Sequence, residues 1–585
     1  MYLHQFFIRY SNRRLRIQGQ YRDIRGVFYP AFCDYITINR CTFDNNTNPN
    51  GFGSSIWNWH SSNLFITNSV FKNNFASNAG AVYLDSRNRL AEDMNIIIDN
   101  CTFDNNTAGS WCSGVYLWQV TGVTVSNSTF INNTHADGGA LYHDAQFVPS
   151  KYDVDALKVI GCTFESNTST NFWSGAVHSF GGSMTVDSCD FKNNQASLGA
   201  AISFAHIEES ALIKNCRFEG GKAVYGGGAI AILNDSTNVD IIDCVLFDNE
   251  ASNDDDEDGA GGAIYIENGV DLEIKNTHFN ENKADIGGAL SGTMFTGLDP
   301  MNIKLSNCII EGSIANYQGG AVSILGGNME ISNLLAFNNF ALGKGTGGAF
   351  SINASDSTSS TVDIMNSTIV NNFGLLASGF AQWDTLTGKS TLKLQNTILY
   401  NDGADYFVEG GNPDFISNGG NLSGNEDMAT FLSHVKDQSN VDPLFVDADE
   451  SNFRLRQGSP AIDAGVTLGS PEFDLSGNQR IGDVDAGAFE FDISTNTINI
   501  LDNSNLLVMP NPITDFTQIQ IDNDWQGRIQ LELTNALGQR IQSIYLTKYQ
   551  DQLIYPLDMS QLSSGMYQLS ATQGRERMIR TLLKL

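Results

Sequence analysis

The chain has 585 residues, of which 65 are acidic and 33 basic, so its formal net charge is −32. This excess of acid repels phosphate groups and argues against nucleic acid or an anionic membrane surface as the main partner. The 41% of hydrophobic residues is enough for a core, and no apolar run approaches the ~18 residues of a membrane-spanning helix.

Residues 1–35 are predicted to form an N-terminal segment that belongs to the start of the region that follows. The first 26 residues contain six arginines and only a short apolar patch at 6–8. A secretory signal needs an apolar stretch of about 7–15 residues. We therefore expect the signal peptide to be missing from the gene model, so that Met1 is an internal position of a longer protein.

A short motif recurs about every 30 residues between positions 36 and 405. Its fullest form is Asn-Cys-Thr-Phe-Asp-Asn-Asn-Thr at 100–107, and a Gly-Gly-Ala element follows a dozen or so residues later. Apolar residues alternate between these elements, Gly and Asn suit left-handed corners, and no helical period is present. The pattern predicts three short strands per repeat and a parallel β-helix of about 13 coils.

The repeat accounts for most of the nine cysteines and for many asparagines. Seven cysteines occupy one motif position, where Ser or Thr stands in other coils, beside a column of Phe. We expect buried, stacked, free thiols there, and disulfides or a metal site are the alternative. The preceding Asn residues are expected to form a structural ladder at one bend: Asn68, Asn100, Asn127, Asn215, Asn276, Asn307, Asn366 and Asn396.

The Phe-x-x-Asn and Gly-Gly-Ala elements resemble the repeats of chlamydial polymorphic outer-membrane proteins and related bacterial right-handed β-helix proteins. The resemblance covers residues 36–405 and implies an all-β fold, a right-handed single-stranded parallel β-helix. It implies no single activity, because adhesins and polysaccharide-degrading enzymes share this solenoid. Gly221, Ile310 and Ser313 depart from the motif, so the coils at 216–221 and 308–313 are expected to be irregular.

One outward-facing column of the predicted coils is aromatic at its N-terminal end and small at its C-terminal end, where Ser291, Ser323 and Ser351 follow one another. Exposed, stacked aromatic rings suit the binding of sugar rings along the solenoid. The alternative is that these rings only cover neighbouring coils. The candidate glycan-binding residues are Trp57, Tyr83, Tyr116, Tyr142 and His178.

An acidic run lies in a long loop before Gly261 and is a candidate calcium site. Carboxylate oxygens are ligands that Ca²⁺ prefers, and a solvated acidic loop is the alternative. The five residues of the run are Asp254, Asp255, Asp256, Glu257 and Asp258. Calcium is the one cofactor that the sequence suggests.

No catalytic residue is predicted from the sequence. β-Helix hydrolases of the pectinase type use Gly-His-Gly and Arg-Ile-Lys segments. Here no His is flanked by Gly on both sides, and Arg-Ile-Lys is absent. The Gly-x-Ser-x-Gly motif of Ser hydrolases is missing as well.

From residue 406 the repeat is lost, and residues 406–491 are predicted to cap the open end of the solenoid. The segments 442–447, 453–465 and 480–490 resemble a module at the C-terminal end of many secreted bacterial β-helix proteins. Their Asp residues suit either a bound cation or tight turns. The polar residues 492–505 are predicted to be a linker.

Residues 506–585 combine a Pro-Asn-Pro start, alternating strands, a Leu-Gly-Gln turn and an Asp-x-Ser-x-Leu-x-x-Gly-x-Tyr box. They resemble the type A C-terminal sorting domain of the Bacteroidetes type IX secretion system, a small immunoglobulin-like β-sandwich. The resemblance implies export by that machinery, cleavage of the domain, and release of the protein or its attachment to surface lipopolysaccharide. The motif residues are Pro510, Asn511, Pro512, Gly538, Asp558, Leu562, Gly565, Tyr567 and Lys584.

Together these features favour an extracellular or outer-surface β-helix protein that is adhesin-like or carbohydrate-binding. The expected partners are the type IX machinery and glycans, with no nucleic acid and no transmembrane segment. A polysaccharide lyase or hydrolase with a non-standard site is the alternative, and a purely structural surface rod is the second alternative.

Overall fold

In the computed structural model the chain divides into two compact units. The first comprises the chain up to Pro471 with Ile481–Phe489, and the second comprises Glu472–Arg480 with the chain from Glu490 onward. The structure describes residues 15–18, 26–86, 94–146, 156–206, 210–233, 237–252, 258–295, 297–342, 347–410, 413–491, 499–500, 506–509, 511, 513–514, 516–523, 525, 527–535, 540–548, 552–563, 565–573 and 576–584.

Most of the first unit is a right-handed parallel β-solenoid of about 13 turns, which confirms the predicted fold class. A regular turn contributes one strand to each of four parallel sheets. They are named I to IV in the order of their strands within the turn that begins at Asp34–Asn39. The prediction of three strands per turn was wrong. The additional strands, those of sheet III, have only two to five residues, too few to show an alternating pattern.

The four sheets extend along the solenoid axis, and each successive coil adds a strand. The strands of sheets I and II have the following bounds. Sheet I has Asp34–Asn39, Ser62–Thr67, Ile96–Asp99, Val123–Ser126, Leu157–Ile160, Met184–Asp187, Ser210–Lys214, Thr237–Ile242, Val270–Lys275, Asn302–Ser306, Gly327–Ser332, Ser359–Met365, Lys389–Gln395 and Asp414–Gly419. Sheet II has Leu15–Gln18, Cys41–Asp44, Val70–Lys72, Thr102–Asp104, Thr129–Ile131, Thr163–Glu165, Asp190–Lys192, Arg217–Glu219, Val245–Phe247, His278–Asn280, Ile309–Glu311, Leu335–Phe337, Thr368–Val370, Ile398–Tyr400 and Leu422–Ser423.

The remaining two sheets follow in each turn. Sheet III has Thr47–Asn48, Phe75–Ala76, Thr107–Ala108, Thr134–His135, Thr168–Ser169, Gln195–Leu198, Lys222–Gly226, Glu250–Ala251, Lys283–Ile286, Ile314–Gln318, Phe340–Ala341 and Phe373–Gly374. Sheet IV has Ile56–Trp59, Val82–Asp85, Cys112–Trp118, Gly139–Asp144, Val177–Phe180, Ile202–Ala205, Ile230–Leu233, Ile264–Glu267, Leu290–Thr293, Val322–Leu325, Phe350–Ala354, Phe380–Asp384 and Tyr406–Gly410.

The core is a set of columns, because strands pair in register and each motif position lies above the same position of the next coil. The predicted Phe column is confirmed: from Phe43 to Phe218 six successive ring pairs stack with centroids 4.6–5.0 Å apart and planes within 2–10°. All nine cysteines are free thiols. Burial raises the pKa of Cys101 to about 12, which keeps this thiol protonated and unreactive.

Two asparagine ladders support the bends. The predicted one is confirmed at the bend between sheets I and II, where Asn100 Nδ2 donates to Asn68 Oδ1 over 2.8 Å. In several coils an Asp is the acceptor, as for Asn127 and Asp99. The predicted ladder residues all have left-handed backbone, with φ between 46° and 55°, a conformation that Asn tolerates well.

A second ladder lies buried between sheets II and III, at the last Asn of the motif. The Asn133 side chain accepts bonds from the backbone and side-chain nitrogens of Asn106, both at 3.0 Å. Its Nδ2 donates to Phe103 O and to Asn167 Oδ1, both at 2.9 Å. Each such Asn therefore replaces the hydrogen bonds that a sharply bent backbone cannot make to its neighbour.

The two coils expected to be irregular keep their register in sheet II and shift it in sheet III. Gly221 and Ser313 lack the ladder amide, yet their backbone N–H groups still donate to the Asn of the next coil, each over 3.0 Å, and the adjoining strands of sheet II stay paired in step. The strands that follow, Lys222–Gly226 and Ile314–Gln318, each show a register shift against the preceding coil. The expected irregularity is thus confirmed in sheet III, and it was wrong for sheet II.

The Gly-Gly-Ala element forms the corner before sheet IV. Gly261 has φ +65°, and a Cβ there would collide with the carbonyl oxygen of Ile264. A Cβ on Gly262 would collide with the carbonyl of Gly288 in the next coil. The first Gly is thus required by backbone conformation and the second by the close stacking of coils.

The C-terminal end of the solenoid core is covered by residues of the same unit. A 3₁₀ helix, Glu426–Thr430, places Met428 in the main hydrophobic core. The antiparallel strands Phe445–Asp447 and Asn452–Leu455 follow, and the Phe453 ring packs 5.2 Å from Phe337. These contacts shield apolar side chains that would otherwise face water. The predicted domain boundaries stay predictions.

The second unit is a small antiparallel β-structure with its own core. Its five-stranded sheet has Asn499–Ile500, Glu576–Lys584, Gly565–Gln573, Gly527–Asn535 and Arg540–Lys548. Its three-stranded sheet has Leu506–Met509, Phe516–Asp522 and Gln552–Asp558. Apolar residues from both sheets form one core. Across the described part of both units, no helix has the length and apolar character to span a membrane.

The buried ladder predicts a position-specific stability loss. Asn133→Ala removes four hydrogen bonds and leaves the Asn106 N–H without its acceptor inside the protein. We expect the free energy of unfolding to fall by about 2–4 kcal/mol, measured by urea denaturation. Asn302→Ala, at an exposed strand position, is the control and should change it by less than about 0.5 kcal/mol. Equal losses in the two variants would contradict the ladder's role.

Candidate functional site

The outer face of sheet IV contains the column proposed as a glycan site, and its predicted order is confirmed. Strand pairing sets Trp57 opposite Tyr83, then Tyr116, Tyr142 and His178 in successive coils. The same column continues through smaller residues and one Tyr: Ser203, Ala231, Tyr265, Ser291, Ser323 and Ser351.

The aromatic end of this column is buried, which agrees with the alternative that its rings cover neighbouring coils. Tyr83, Tyr116 and Tyr142 are only 1%, 4% and 6% exposed, and His178 is fully buried. Trp57 is half-buried. The rings pack on one another and under residues of the corners and of the neighbouring outward column, including Phe52, Trp118 and Trp173. Together they make a small outer core, called here the aromatic block.

Two tyrosine hydroxyls of the aromatic block are satisfied internally, whereas Trp57 Nε1 and His178 Nε2 are buried without a hydrogen-bond partner among the described residues. Tyr83 Oη donates to Asp85 over 3.1 Å, and Tyr116 Oη donates to Asp144 over 3.2 Å. Burial lowers the pKa of His178 to about 3, so its imidazole is neutral, and its Nδ1 lies 2.7 Å from Ser203 Oγ. This arrangement supports packing, while a bound sugar would need accessible rings.

Farther along the same face, the small residues of the column leave a groove of about 640 Å³. Its floor combines Ser291 and Ser323 with the next outward column, which pairs Thr293, Leu325, Asn353 and Trp383 in successive coils. Because both columns follow the stacking of coils, the groove floor extends along the solenoid axis over four coils. We call it the sheet IV groove.

One wall of the sheet IV groove comes from the ends of two sheet III strands and from the corner before sheet IV. It includes Asp258, Ile286, Tyr317 and Gln318. The Tyr317 ring is 45% exposed, in contrast to the tyrosines of the aromatic block. Trp383 is half-buried at the C-terminal end of the floor. The groove therefore offers two aromatic side chains that remain accessible.

A hydrogen-bond network fixes the amides where wall and floor meet. Asn353 Nδ2 donates to Gln318 Oε1 over 3.1 Å, and Ser351 Oγ donates to the same oxygen over 3.2 Å. Two coils thus hold both amide groups in place before any ligand arrives. Preorganised amides of this kind lose little conformational freedom on binding.

The charge of the groove is slightly negative. Asp258 is the one charged lining residue in the described part of the chain, and burial together with the charge of Asp285 raises the pKa of this carboxyl. Asp285 in turn accepts bonds from Gly259 N–H (2.9 Å) and Asn316 Nδ2 (2.7 Å). Asp258 is thus the group whose charge a ligand would meet first.

The other members of the acidic run, Asp254, Asp255, Asp256 and Glu257, lie outside the described residues. Within the described ranges no group of three or more His, Cys, Asp or Glu side chains is arranged to hold a metal ion. The calcium site stays a prediction. Asp258 is the member of that run that the structure brings to the sheet IV groove.

The sorting-motif residues have structural roles in the second unit. Asn511 Nδ2 donates to Thr581 O (2.8 Å), and its Oδ1 accepts from Leu583 N–H (2.9 Å), which ties it to the last strand. The Asp558 carboxylate accepts from Ser560 N–H over 2.8 Å, and Tyr567 Oη donates to Ser563 O over 2.9 Å.

The structure describes three of the six remaining motif residues. Leu562 packs against the core of the second unit, Lys584 is mostly buried, and Gly565 begins a long strand. Three motif residues lie outside the described part of the chain: Pro510, Pro512 and Gly538.

Sequence reasoning missed the groove residues Tyr317, Gln318 and Trp383. The serine column was visible in the repeat, but small residues alone predict no cavity. Trp383 stands two positions after the outward-facing Ala381, so the same alternation would have placed it outward as well. Tyr317 and Gln318 end a sheet III strand beside a corner, where neighbouring coils differ in sequence.

Two family models match parts of the chain that belong to the solenoid and to the second unit. Residues 113–313 match the family described as right handed beta helix region, and residues 507–584 match the secretion system C-terminal sorting domain. The chain therefore carries a β-helix region and a type IX sorting domain, which implies export to the cell surface or beyond.

A curated protein shares part of the sequence. A stretch of 215 residues is 27% identical to the metabotropic glutamate receptor-like protein R of Dictyostelium discoideum. It covers 37% of this chain and 10% of that protein, so the chain spans only a small part of this relative.

The two kinds of tyrosine on sheet IV should differ in their effect on stability. Tyr83→Ala empties part of the aromatic block, so we expect the free energy of unfolding to fall by about 3–5 kcal/mol. Tyr317→Ala removes an accessible ring and should cost less than about 0.5 kcal/mol. Urea denaturation of both variants provides the measurement. A large loss for Tyr317→Ala would show that its ring, too, is structural.

Proposed function

We propose that the chain is a secreted or cell-surface β-helix protein, adhesin-like, that binds glycan chains in the sheet IV groove. The observation that carries this proposal is the combination of two accessible aromatic side chains, Tyr317 and Trp383, with a floor of hydroxyl and amide groups. Export through the type IX machinery supports it, because such a protein meets glycans outside the cell.

The groove suits an extended chain of sugars. Neighbouring coils are about 4.8 Å apart, so the four coils that contribute to the floor span roughly 14 Å. Aromatic faces pack against the apolar face of a sugar ring, while Thr293, Gln318 and Asn353 provide donors and acceptors for hydroxyl groups. The solenoid thereby presents the same kind of surface to successive units of a polymer.

Binding is favoured over cleavage of the polymer. Glycoside hydrolysis commonly uses two carboxyl groups that flank the bond, and Asp258 is the one carboxylate that lines the groove among the described residues. A purely structural rod, the other alternative, gives no reason for a preorganised amide network at an accessible groove. We further propose that the sorting domain is cleaved after export and that the protein is released or attached to surface lipopolysaccharide.

The proposal predicts which aromatic residues matter for affinity. Tyr317→Ala and Trp383→Ala should each weaken binding to a glycan recognised by the parent by about 10-fold or more, which corresponds to about 1.4 kcal/mol. Phe373→Ala is the matched control, since Phe373 is 46% exposed on sheet III and lies outside the groove.

The measurement is affinity electrophoresis or calorimetry with a polysaccharide panel, together with an assay for reducing ends and unsaturated products. Undiminished binding in both groove variants would reject the sheet IV groove as the site. Release of products would favour the lyase or hydrolase instead.

A further inference from the structure

We propose that the sheet IV groove selects uncharged glycan chains and rejects uronate-bearing or sulfated ones. This inference rests on the proposed function and adds the chemical class of its ligand. The charges that surround the groove and the chemistry of its floor support it.

Among the residues that the structure describes, the lining contains no group that could neutralise an anionic sugar. None of its described residues is Lys, Arg or His, and its one charged residue is Asp258. Asp258 already lies close enough to Asp285 for the two charges to affect each other. A sugar carboxylate placed in the groove would lose water without gaining a counter-charge, which costs free energy at every charged unit.

Two described lysines of sheet III, one on the strand beside the groove and one two coils earlier, are already paired. Lys283 Nζ lies 3.2 Å from Asp248 Oδ1, and Lys222 Nζ lies 3.1 Å from Glu250 Oε2. An anionic polymer would have to compete with these carboxylates for the ammonium groups. The net charge of −32 adds a long-range repulsion of polyanions to this local one.

The floor suits neutral hydroxyl groups. Thr293 provides a hydroxyl, and Gln318 and Asn353 provide amides, so each can both donate and accept hydrogen bonds, whereas Ser291 and Ser323 are buried at the base of the groove. Sugar hydroxyls have the same dual character. When a neutral sugar binds, the groove groups and the sugar hydroxyls give up hydrogen bonds to water and form hydrogen bonds to each other. Because neither partner is charged, the desolvation cost is small.

The test compares polymers of different charge on the full chain. The neutral probes are laminarin, xylan, dextran and mannan, and the anionic probes are polygalacturonate and alginate, all in about 0.15 M NaCl. We expect at least one neutral polymer to bind, and both anionic polymers to bind at least about 10-fold more weakly. The affinity for the neutral polymer should not change with salt concentration, because no ion pair forms.

A charge-insertion variant provides the positive control. Thr293→Lys adds a cation to the groove floor and should increase binding of polygalacturonate, whereas Asn302→Lys, at an exposed position on sheet I, should not. If Thr293→Lys does not fold, the salt dependence of the parent still decides.

The possible failures are distinguishable. Binding of an anionic polymer as tight as that of any neutral one, and weakened by Tyr317→Ala, would overturn the selectivity and leave glycan binding in place. Binding of no polymer at all would overturn both proposals.

Discussion

The pairing of each coil with the next, in register, is the interaction on which the rest of the structure depends. Parallel strands place each residue above its counterpart, so that one residue type at one motif position becomes a column. Stacked Phe rings, free thiols and two asparagine ladders follow from this single constraint. The buried ladder is its most demanding part, because it supplies the hydrogen bonds at the bend between sheets II and III.

The same constraint explains how one surface carries two different features. The outward column of sheet IV holds aromatic residues in the early coils and serines in the later ones. Rings that stack in register exclude water and become a second core, as Tyr116 and Tyr142 do at 4.8 Å. Small residues leave space instead, and the corner residues beside them form a wall. A groove thus appears beyond Tyr265, where serines follow one another in the column.

Sequence periodicity sufficed to predict the solenoid, the Phe column, the thiols and the order of the sheet IV column, since these depend only on the repeat. The burial of Tyr83 and the accessibility of Tyr317 were not predictable in this way. They depend on corner segments such as the one containing Phe52, whose lengths and sequences vary from coil to coil. The short strands of sheet III were not predicted, because two residues are too few to show an alternation of apolar and polar side chains.

Hydrogen exchange with mass spectrometry, in the presence and absence of a saturating neutral glycan, tests whether the glycan binds in the sheet IV groove. We expect slower exchange in peptides covering 286–293 and 317–325, which line the groove, and no change over 83–142, where the aromatic block is already buried. Slower exchange confined to the early coils, or none in the groove at saturation, would contradict the account.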